Sequence, residues 1–390
     1  MLAALLDSQR IATAATNYYD NNGATAGLGS AGSSNWDLAT TVWNSSNSGT
    51  NTNTPVAWVQ GSDVGFQNGA AVTLTLPSNT TIQVNSIADG TSNTAVTING
   101  SNVTTSILQL GAGGITKSGS AGTMTLGSVL NLQLIANQTW NAGAALNVDS
   151  LVSGGFNLTK TGSSTLTMTA ANTYSGSTTV NQGTMTLSGA NGSILSTSGI
   201  TISGTGANQS ASLLLDSTNT LNENRLDNST WVALKTGAEL RFQDNTATNT
   251  SETVGAVTMG VGQSTVSSRA STSRVATLTL ASLTRVDGGL GLVRGSTLGG
   301  QASSVGKILL ADNGTSLGTL IGTATSTSGL NNGSTKNLKI IPWIIGDTST
   351  GNQGGNFLTY DTTSGIRTLG TNEYVLNGSL SSAAPDANYR

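Results

Sequence analysis

Short stretches of alternating apolar and polar residues recur along most of the chain, and turns rich in glycine, asparagine and serine separate them. In residues 165–169, Leu166 and Met168 alternate with threonines, which is the period-two pattern of a half-buried strand. Two further short strands are predicted at 178–180 and 184–188. The turns between them leave no room for a helix, so successive strands fit successive faces of a coil.

The same pattern predicts strands on both sides of this stretch. Up to residue 215 they lie at 72–76, 81–84, 95–98, 107–110, 123–126, 130–135, 146–148, 200–202 and 212–215. Further on they lie at 231–234, 239–242, 254–259, 276–280, 291–293, 307–310 and 338–345. Strands this short cannot bury both faces alone, but stacked coils can. We therefore predict an all-β fold, a β-solenoid of the right-handed parallel β-helix type, with strands about 4.8 Å apart.

One unit carries a recognisable order of motifs. Residues 158–162 read Leu-Thr-Lys-Thr-Gly, 172–176 read Asn-Thr-Tyr-Ser-Gly, 178–180 read Thr-Thr-Val and 183–185 read Gly-Thr-Met. This order resembles the autotransporter-associated β-strand repeat, or passenger-associated transport repeat, of bacterial surface proteins. The resemblance implies a β-solenoid that is extracellular or at the cell surface of a Gram-negative-type bacterium. It implies no catalytic residues.

A degenerate copy of the repeat lies upstream at 114–119 and continues into the predicted strand at 123–126. It places Lys117 where the full repeat has Lys160. We expect both lysines at the edge of a coil, where a charge hinders the addition of another strand; ligand binding is the alternative. Residues 340–360 also resemble the end of long surface proteins that carry the repeat.

Composition narrows the chemistry. Charged residues make up 8% of the chain, against about 25% in ordinary soluble domains. The absence of cysteine and histidine excludes disulfides, thiolate and imidazole metal sites, and Ser-His-Asp machinery. A net charge of −3 gives no basic surface for nucleic acid. We therefore predict no nucleic-acid partner.

Five regions are predicted. Leu2, Leu5 and Leu6 have helical spacing, so residues 1–16 form a short helix or N-terminal segment, either a cap or the remnant of a cleaved leader. Residues 17–70 form an aromatic-rich N-terminal cap, 71–215 a nearly uncharged solenoid with the repeat at 155–188, 216–345 a more highly charged continuation, and 346–390 a C-terminal cap. The aromatic residues of this predicted N-terminal cap are Tyr18, Tyr19, Trp36, Trp43, Trp58 and Phe66. They either plug the open end of the core or form a platform for stacking sugars.

The motifs tested for chemistry do not fit. Residues 300–307 contain one residue too many for a phosphate-binding loop, and Ile308 replaces the required Ser or Thr. Residues 287–291 resemble a calcium repeat but lack its nine-residue period. A glycosidase needs paired carboxylates, whereas Asp216, Glu223, Asp227 and the other carboxylates of 216–252 alternate with Lys and Arg, as in cross-strand ion pairs. We predict no catalytic, cofactor-binding or metal-binding residues. Within this charged region, residues 221–226 are predicted to form a helical turn.

The expected function is therefore that of a non-enzymatic extracellular structural protein. In one interpretation the chain assembles with itself, through its termini, into a filament or surface layer. In the alternative it is the passenger domain of a cell-surface adhesin that binds glycans or surfaces. No apolar run reaches the ~18 residues of a membrane span.

Overall fold

The computed structural model describes residues 15–373, apart from 24, 26, 27, 30, 48–53, 68, 91–94, 120, 121, 205–209, 302, 326–335 and 353. These residues fold into two long β-sheets, and their helical content is limited to the 3-10 turns Thr315–Leu317 and Thr371–Glu373. Among them there is no helix with the length and apolar character needed to cross a membrane. The predicted all-β class is confirmed.

The first sheet holds fifteen strands of the described part of the chain. They are β1 (Thr16–Tyr19), β3 (Trp43–Asn44), β4 (Ser62–Phe66), β6 (Thr80–Asp89), β8 (Ser106–Lys117), β10 (Asn131–Leu134), β11 (Gln138–Ala142), β13 (Leu151–Ser153), β14 (Leu158–Thr161), β16 (Thr178–Val180), β18 (Ile200–Ile202), β20 (Val232–Leu234), β22 (Thr250–Met259), β24 (Val275–Arg285) and β26 (Val305–Leu310).

The second sheet holds fourteen strands of the same described ranges. They are β2 (Gly32–Asn35), β5 (Val72–Leu76), β7 (Ala95–Gly100), β9 (Thr123–Leu126), β12 (Leu146–Val148), β15 (Thr165–Met168), β17 (Gly183–Leu187), β19 (Ala211–Asp216), β21 (Ala238–Gln243), β23 (Gln263–Arg269), β25 (Leu290–Gly295), β27 (Ile344–Asp347), β28 (Asn356–Asp361) and β29 (Gly365–Thr368).

From β4 to β27 the chain passes back and forth between the two sheets, and each new strand pairs in parallel with the strand of the coil before it. The long strand β8 pairs with two shorter strands of the next coil, with β10 through its first half and with β11 through its second half. This is the predicted β-solenoid of stacked parallel strands. Its right-handed winding stays a prediction.

The core is a column of inward side chains from each sheet. In the second sheet Leu166, Met185, Leu213, Leu240 and Val266 stand in register on consecutive strands, and all are fully buried. Each coil therefore buries its apolar residues against the coils on either side, which supplies the hydrophobic stabilisation that one coil lacks.

Antiparallel elements lie at both ends of the solenoid. At the N-terminal end, β3 pairs with β1, and the rings of Tyr19, Trp36, Trp43 and Trp58 pack together with centroids 4.8–6.3 Å apart. These four rings are buried, as a plug of the core requires, and they therefore present no faces on which sugars could stack. At the C-terminal end, β28 pairs with β27 and then with β29. Residues 1–14 and 374–390, including the predicted terminal contacts, lie outside the described residues.

Two local predictions are wrong. The apolar run 338–345 does not form one strand: Leu338 and Ile340 make isolated bridges, Pro342 and Trp343 form a turn, and β27 begins at Ile344. Proline has no N–H to donate to a ladder, so the strand begins after it. Residues 221–226 form no helical turn. They form an irregular loop whose backbone is held by a side chain from the next coil, described below.

Candidate functional site

The repeat holds Lys160 inside the solenoid. Lys160 lies on β14 and faces inward, with no exposed surface. Its three N–H groups donate to four backbone carbonyls, one N–H being shared, and Nζ lies 3.1 Å from Thr161 O, 2.6 Å from Gly162 O, 2.7 Å from Ser164 O and 2.8 Å from Gln182 O. Burial lowers the pKa of Lys160 to about 8, so the ammonium form predominates at pH 7. The side chain thus joins its own coil to the next one.

Lys117 is buried in a different way. Its Nζ lies 2.8 Å from Asp89 Oδ2, and neither side chain is exposed. The expectation that the two lysines lie at a coil edge is therefore wrong. The two lysines also occupy different register positions. Both pair with β11, but Lys117 stands opposite Ala142 and Lys160 stands opposite Trp140. A buried ammonium requires fixed acceptors, and each lysine meets that requirement with different groups.

The second motif of the repeat forms a corner. Asn172 accepts a hydrogen bond from the N–H of Val152 (3.0 Å) and donates to the carbonyls of Ala170 and Ser193. It therefore joins three coils. The hydroxyl of buried Tyr174 lies 2.7 Å from Thr178 Oγ1, and burial raises the pKa of this tyrosine.

Gly176 completes the corner for a steric reason. A Cβ at this position would lie 2.2 Å from the backbone of Phe156 in the preceding coil. Any other residue would force the two coils apart.

Residues 158–187 match the family described as "Passenger-associated-transport-repeat". The matched segment runs from the first residue of β14 to the last residue of β17 and so contains both motifs described above. The predicted repeat is confirmed. No curated protein and no solved structure matches the chain.

The carboxylates of 216–252 serve mostly as local acceptors. Asp216 and Asp227 each cap a turn by accepting hydrogen bonds from the N–H and hydroxyl of the residue two positions on, Thr218 and Ser229. Glu223 accepts hydrogen bonds from Ser251 N (2.8 Å) and Oγ (3.0 Å) in the next coil. Within the described residues, no group of three or more acidic side chains is arranged to hold a metal ion.

Glu252 is the most perturbed of these carboxylates. It points into the solenoid and accepts hydrogen bonds from the backbone N–H groups of Arg225 (2.9 Å) and Leu226 (3.1 Å). Burial raises its pKa to about 7, although these N–H groups and the charge of Arg225 act in the opposite direction. This carboxylate holds the irregular loop in which a helical turn was predicted.

The predicted cross-strand ion pairs are present on the outer face of the second sheet, where Arg269 of β23 and Arg294 of β25 reach Glu239 of β21, while Arg241 reaches it from the same strand. Arg241 Nη2 (3.7 Å), Arg269 Nη2 (3.8 Å) and Arg294 Nη2 (3.2 Å) all approach the carboxylate of Glu239. Burial acts to raise the pKa of Glu239, but Arg241, the Ser267 hydroxyl and Arg294 lower it overall. We call these four residues the arginine cluster. The sequence showed the charges of β21 but not that arginines of β23 and β25 join them.

A buried ion network in the C-terminal cap escaped the sequence analysis. Arg367 on β29 contacts Asp361 (3.1 Å) and Glu373 (2.8 Å), and all three side chains are buried. These residues alternate with glycine, serine and threonine, so no local pattern distinguishes them from solvated loop charges. The network fastens the 3-10 turn Thr371–Glu373 to the β28–β29 hairpin.

Proposed function

We propose that this chain is the extracellular part of a passenger-type protein, displayed on or released from a Gram-negative-type bacterium, with a structural role. One observation carries the proposal: a transport-associated repeat forms an integral coil of a long parallel solenoid. A solenoid of this kind exposes a large, regular surface at low charge, which suits an extended surface structure.

Localisation tests this proposal. Antibodies raised against the purified solenoid should label intact cells of the source bacterium or detect the chain in its growth medium. Protease added to intact cells should remove the cell-associated signal while leaving a cytoplasmic marker protein whole. Signal recovered solely from lysed cells, protected from protease beforehand, would contradict the proposal.

We also propose that the chain has no hydrolase or lyase activity. The carboxylates of 216–252 support this, because they are engaged in turn capping, backbone acceptance and ion pairing rather than facing a common cleft. Incubation with a panel of polysaccharides should release no new reducing ends or unsaturated products. Turnover that disappears in Asp216→Asn, Glu223→Gln or Asp227→Asn would overturn this proposal.

Self-assembly into a filament or surface layer is our proposal for the structural role. A solenoid end can accept a strand from a neighbouring molecule, and a head-to-tail contact of this kind extends without closing. Antiparallel strands β3 and β29 each occupy one edge of the two sheets, so the proposed contact uses the terminal segments. Light scattering should show polymer for the full chain and monomer for a folded chain lacking residues 1–16. A full chain that remains monomeric at high concentration would exclude the filament.

A further inference from the structure

The arginine cluster has an excess of positive charge. Three guanidinium groups surround the single carboxylate of Glu239. Asp347 stands in register beside Arg294, but its Oδ1 accepts hydrogen bonds from Ser349 N (2.8 Å) and Asn352 Nδ2 (3.4 Å) in the following turn. Even with Asp347 counted, the positive charges outnumber the negative ones, in a chain whose net charge is −3.

The cluster also has more hydrogen-bond donors than acceptors. Each guanidinium carries five N–H groups. Among the described residues, their hydrogen bonds go to Ser212 Oγ from Arg241 (3.3 Å), to Thr350 O from Arg269 (3.4 Å), and to Asn352 O (3.1 Å) and Glu239 from Arg294. The Nε atoms of all three arginines are buried without a hydrogen-bond partner in the part of the chain that the structure describes.

This imbalance is not what strand cohesion alone requires. An exposed ion pair that holds two strands together needs one charge of each sign, and such pairs contribute little to stability. Bringing three guanidinium groups together costs free energy through mutual repulsion, and burial together with the charges of Arg241 and Arg294 lowers the pKa of Arg269. An added oxyanion would supply both the missing negative charge and the missing acceptors.

The cluster is open to a ligand and lies next to an uncharged polar face. The side chains of Arg241, Arg269 and Arg294 keep 22%, 26% and 14% of their surface exposed. On the earlier coils of the same sheet, an outward column of small polar residues leads towards Arg241 in register. Its members are Thr125, Asn147, Thr167 and Thr186, and Leu214 stands between Thr186 and Arg241. Neighbouring strands place these hydroxyl and amide groups about 4.8 Å apart, so that they can form hydrogen bonds with successive hydroxyls of a sugar chain.

We propose that the arginine cluster binds the sulfate, phosphate or carboxylate groups of an acidic extracellular polysaccharide. The anion site follows from the cluster itself, whereas the choice of a polysaccharide rests on the proposed extracellular function. Calorimetric titration of the full chain should show binding of acidic oligosaccharides and none of an uncharged oligosaccharide of equal length. Separate sulfated, phosphorylated and uronate probes identify the preferred anion.

Matched variants separate a specific site from general charge attraction. Replacing Arg241, Arg269 and Arg294 together by Gln should weaken binding about tenfold or more, since each charge-assisted hydrogen bond contributes a substantial part of the affinity. The control replaces Lys235, Arg274 and Arg285 by Gln, which removes the same charge elsewhere, and should leave the affinity within about twofold. Glu239→Gln should strengthen binding because it removes the competing carboxylate. Circular dichroism and urea unfolding verify that each variant is folded.

Three results would overturn the proposal. They are no binding of any acidic oligosaccharide by the unchanged chain, equal losses in the two triple variants, and weaker binding in folded Glu239→Gln. Binding of inorganic sulfate without binding of any acidic oligosaccharide would exclude the ligand class. Surface localisation is measured independently, so a negative binding result leaves the proposed extracellular function standing.

Discussion

Asp89 and Lys117 face each other across the adjacent parallel strands β6 and β8, with 2.8 Å between Oδ2 and Nζ and neither side chain exposed to solvent. A buried ion pair holds its place only while both partners are present, because one alone is an uncompensated charge. The free-energy cost of removing one partner therefore differs from the net contribution of the ion pair to stability, and the two can be measured separately.

Removing one partner should be far worse than removing both. We expect Lys117→Met to lower the free energy of unfolding by about 3–5 kcal/mol, since it removes the ammonium that compensates the buried charge of the Asp89 carboxylate. The double variant Asp89→Val with Lys117→Met should recover most of this loss. Urea unfolding of the two single variants and the double variant measures the coupling free energy. Additive losses would show that the pair does not act as a unit.

Lys160 should stabilise the repeat through its hydrogen bonds to carbonyls. Lys160→Met removes the buried ammonium that donates to four backbone carbonyls, so we expect a loss of about 2–4 kcal/mol in the free energy of unfolding. The control Thr159→Val changes the outward neighbour on the same strand and should alter stability by under about 0.5 kcal/mol. Equal effects of the two substitutions in urea unfolding would contradict the role given to the ammonium.

Glu252 should make stability depend on pH. Burial raises the pKa of this carboxyl from 4.5 to about 7 in the folded chain, so the folded state favours the protonated form. Its stabilising contribution is complete below pH 4.5 and is lost as the pH rises through 7. Compared with Glu252→Gln, the unchanged chain should lose on the order of 3 kcal/mol over that interval.

Urea unfolding at closely spaced pH values from 4 to 8 measures this difference. The control Asp287→Asn replaces an exposed carboxyl at a turn and should follow the unchanged chain. A Glu252→Gln variant whose profile also matches that of the unchanged chain would mean that Glu252 titrates at its ordinary pKa.

The aromatic plug should protect the N-terminal coils in particular. Trp43 has no exposed surface and packs against Trp36 and Trp58, so Trp43→Ala should destabilise this end by about 3–5 kcal/mol. Because each coil contacts mainly its neighbours, hydrogen exchange should accelerate in β1–β6 while β14–β26 remain protected. Trp231→Ala, at an exposed position directly before β20, is the control. Uniform acceleration along the whole chain would argue for a single cooperative unit.

The class of fold and most of the strands follow from the local pattern of residues. β5, β9, β12 and β18 begin and end where the alternating pattern predicts. This succeeds because alternation and glycine-rich turns are local properties, and a strand with one apolar face has few ways to bury it other than by stacking. The repeat was recognisable for the same reason, since its order of motifs is contiguous.

The positions of the charged side chains, in contrast, depend on contacts between coils. Lys160 has the same parity as the inward Leu158, but its acceptor at Gln182 comes from the next coil, so the local sequence does not reveal how a buried ammonium is satisfied. Likewise Glu239, Arg269 and Arg294 belong to three different coils and meet because parallel stacking sets their register. The position of each charge depends on partners that are distant in sequence, and the alternating pattern does not show which residues of different coils stand in register.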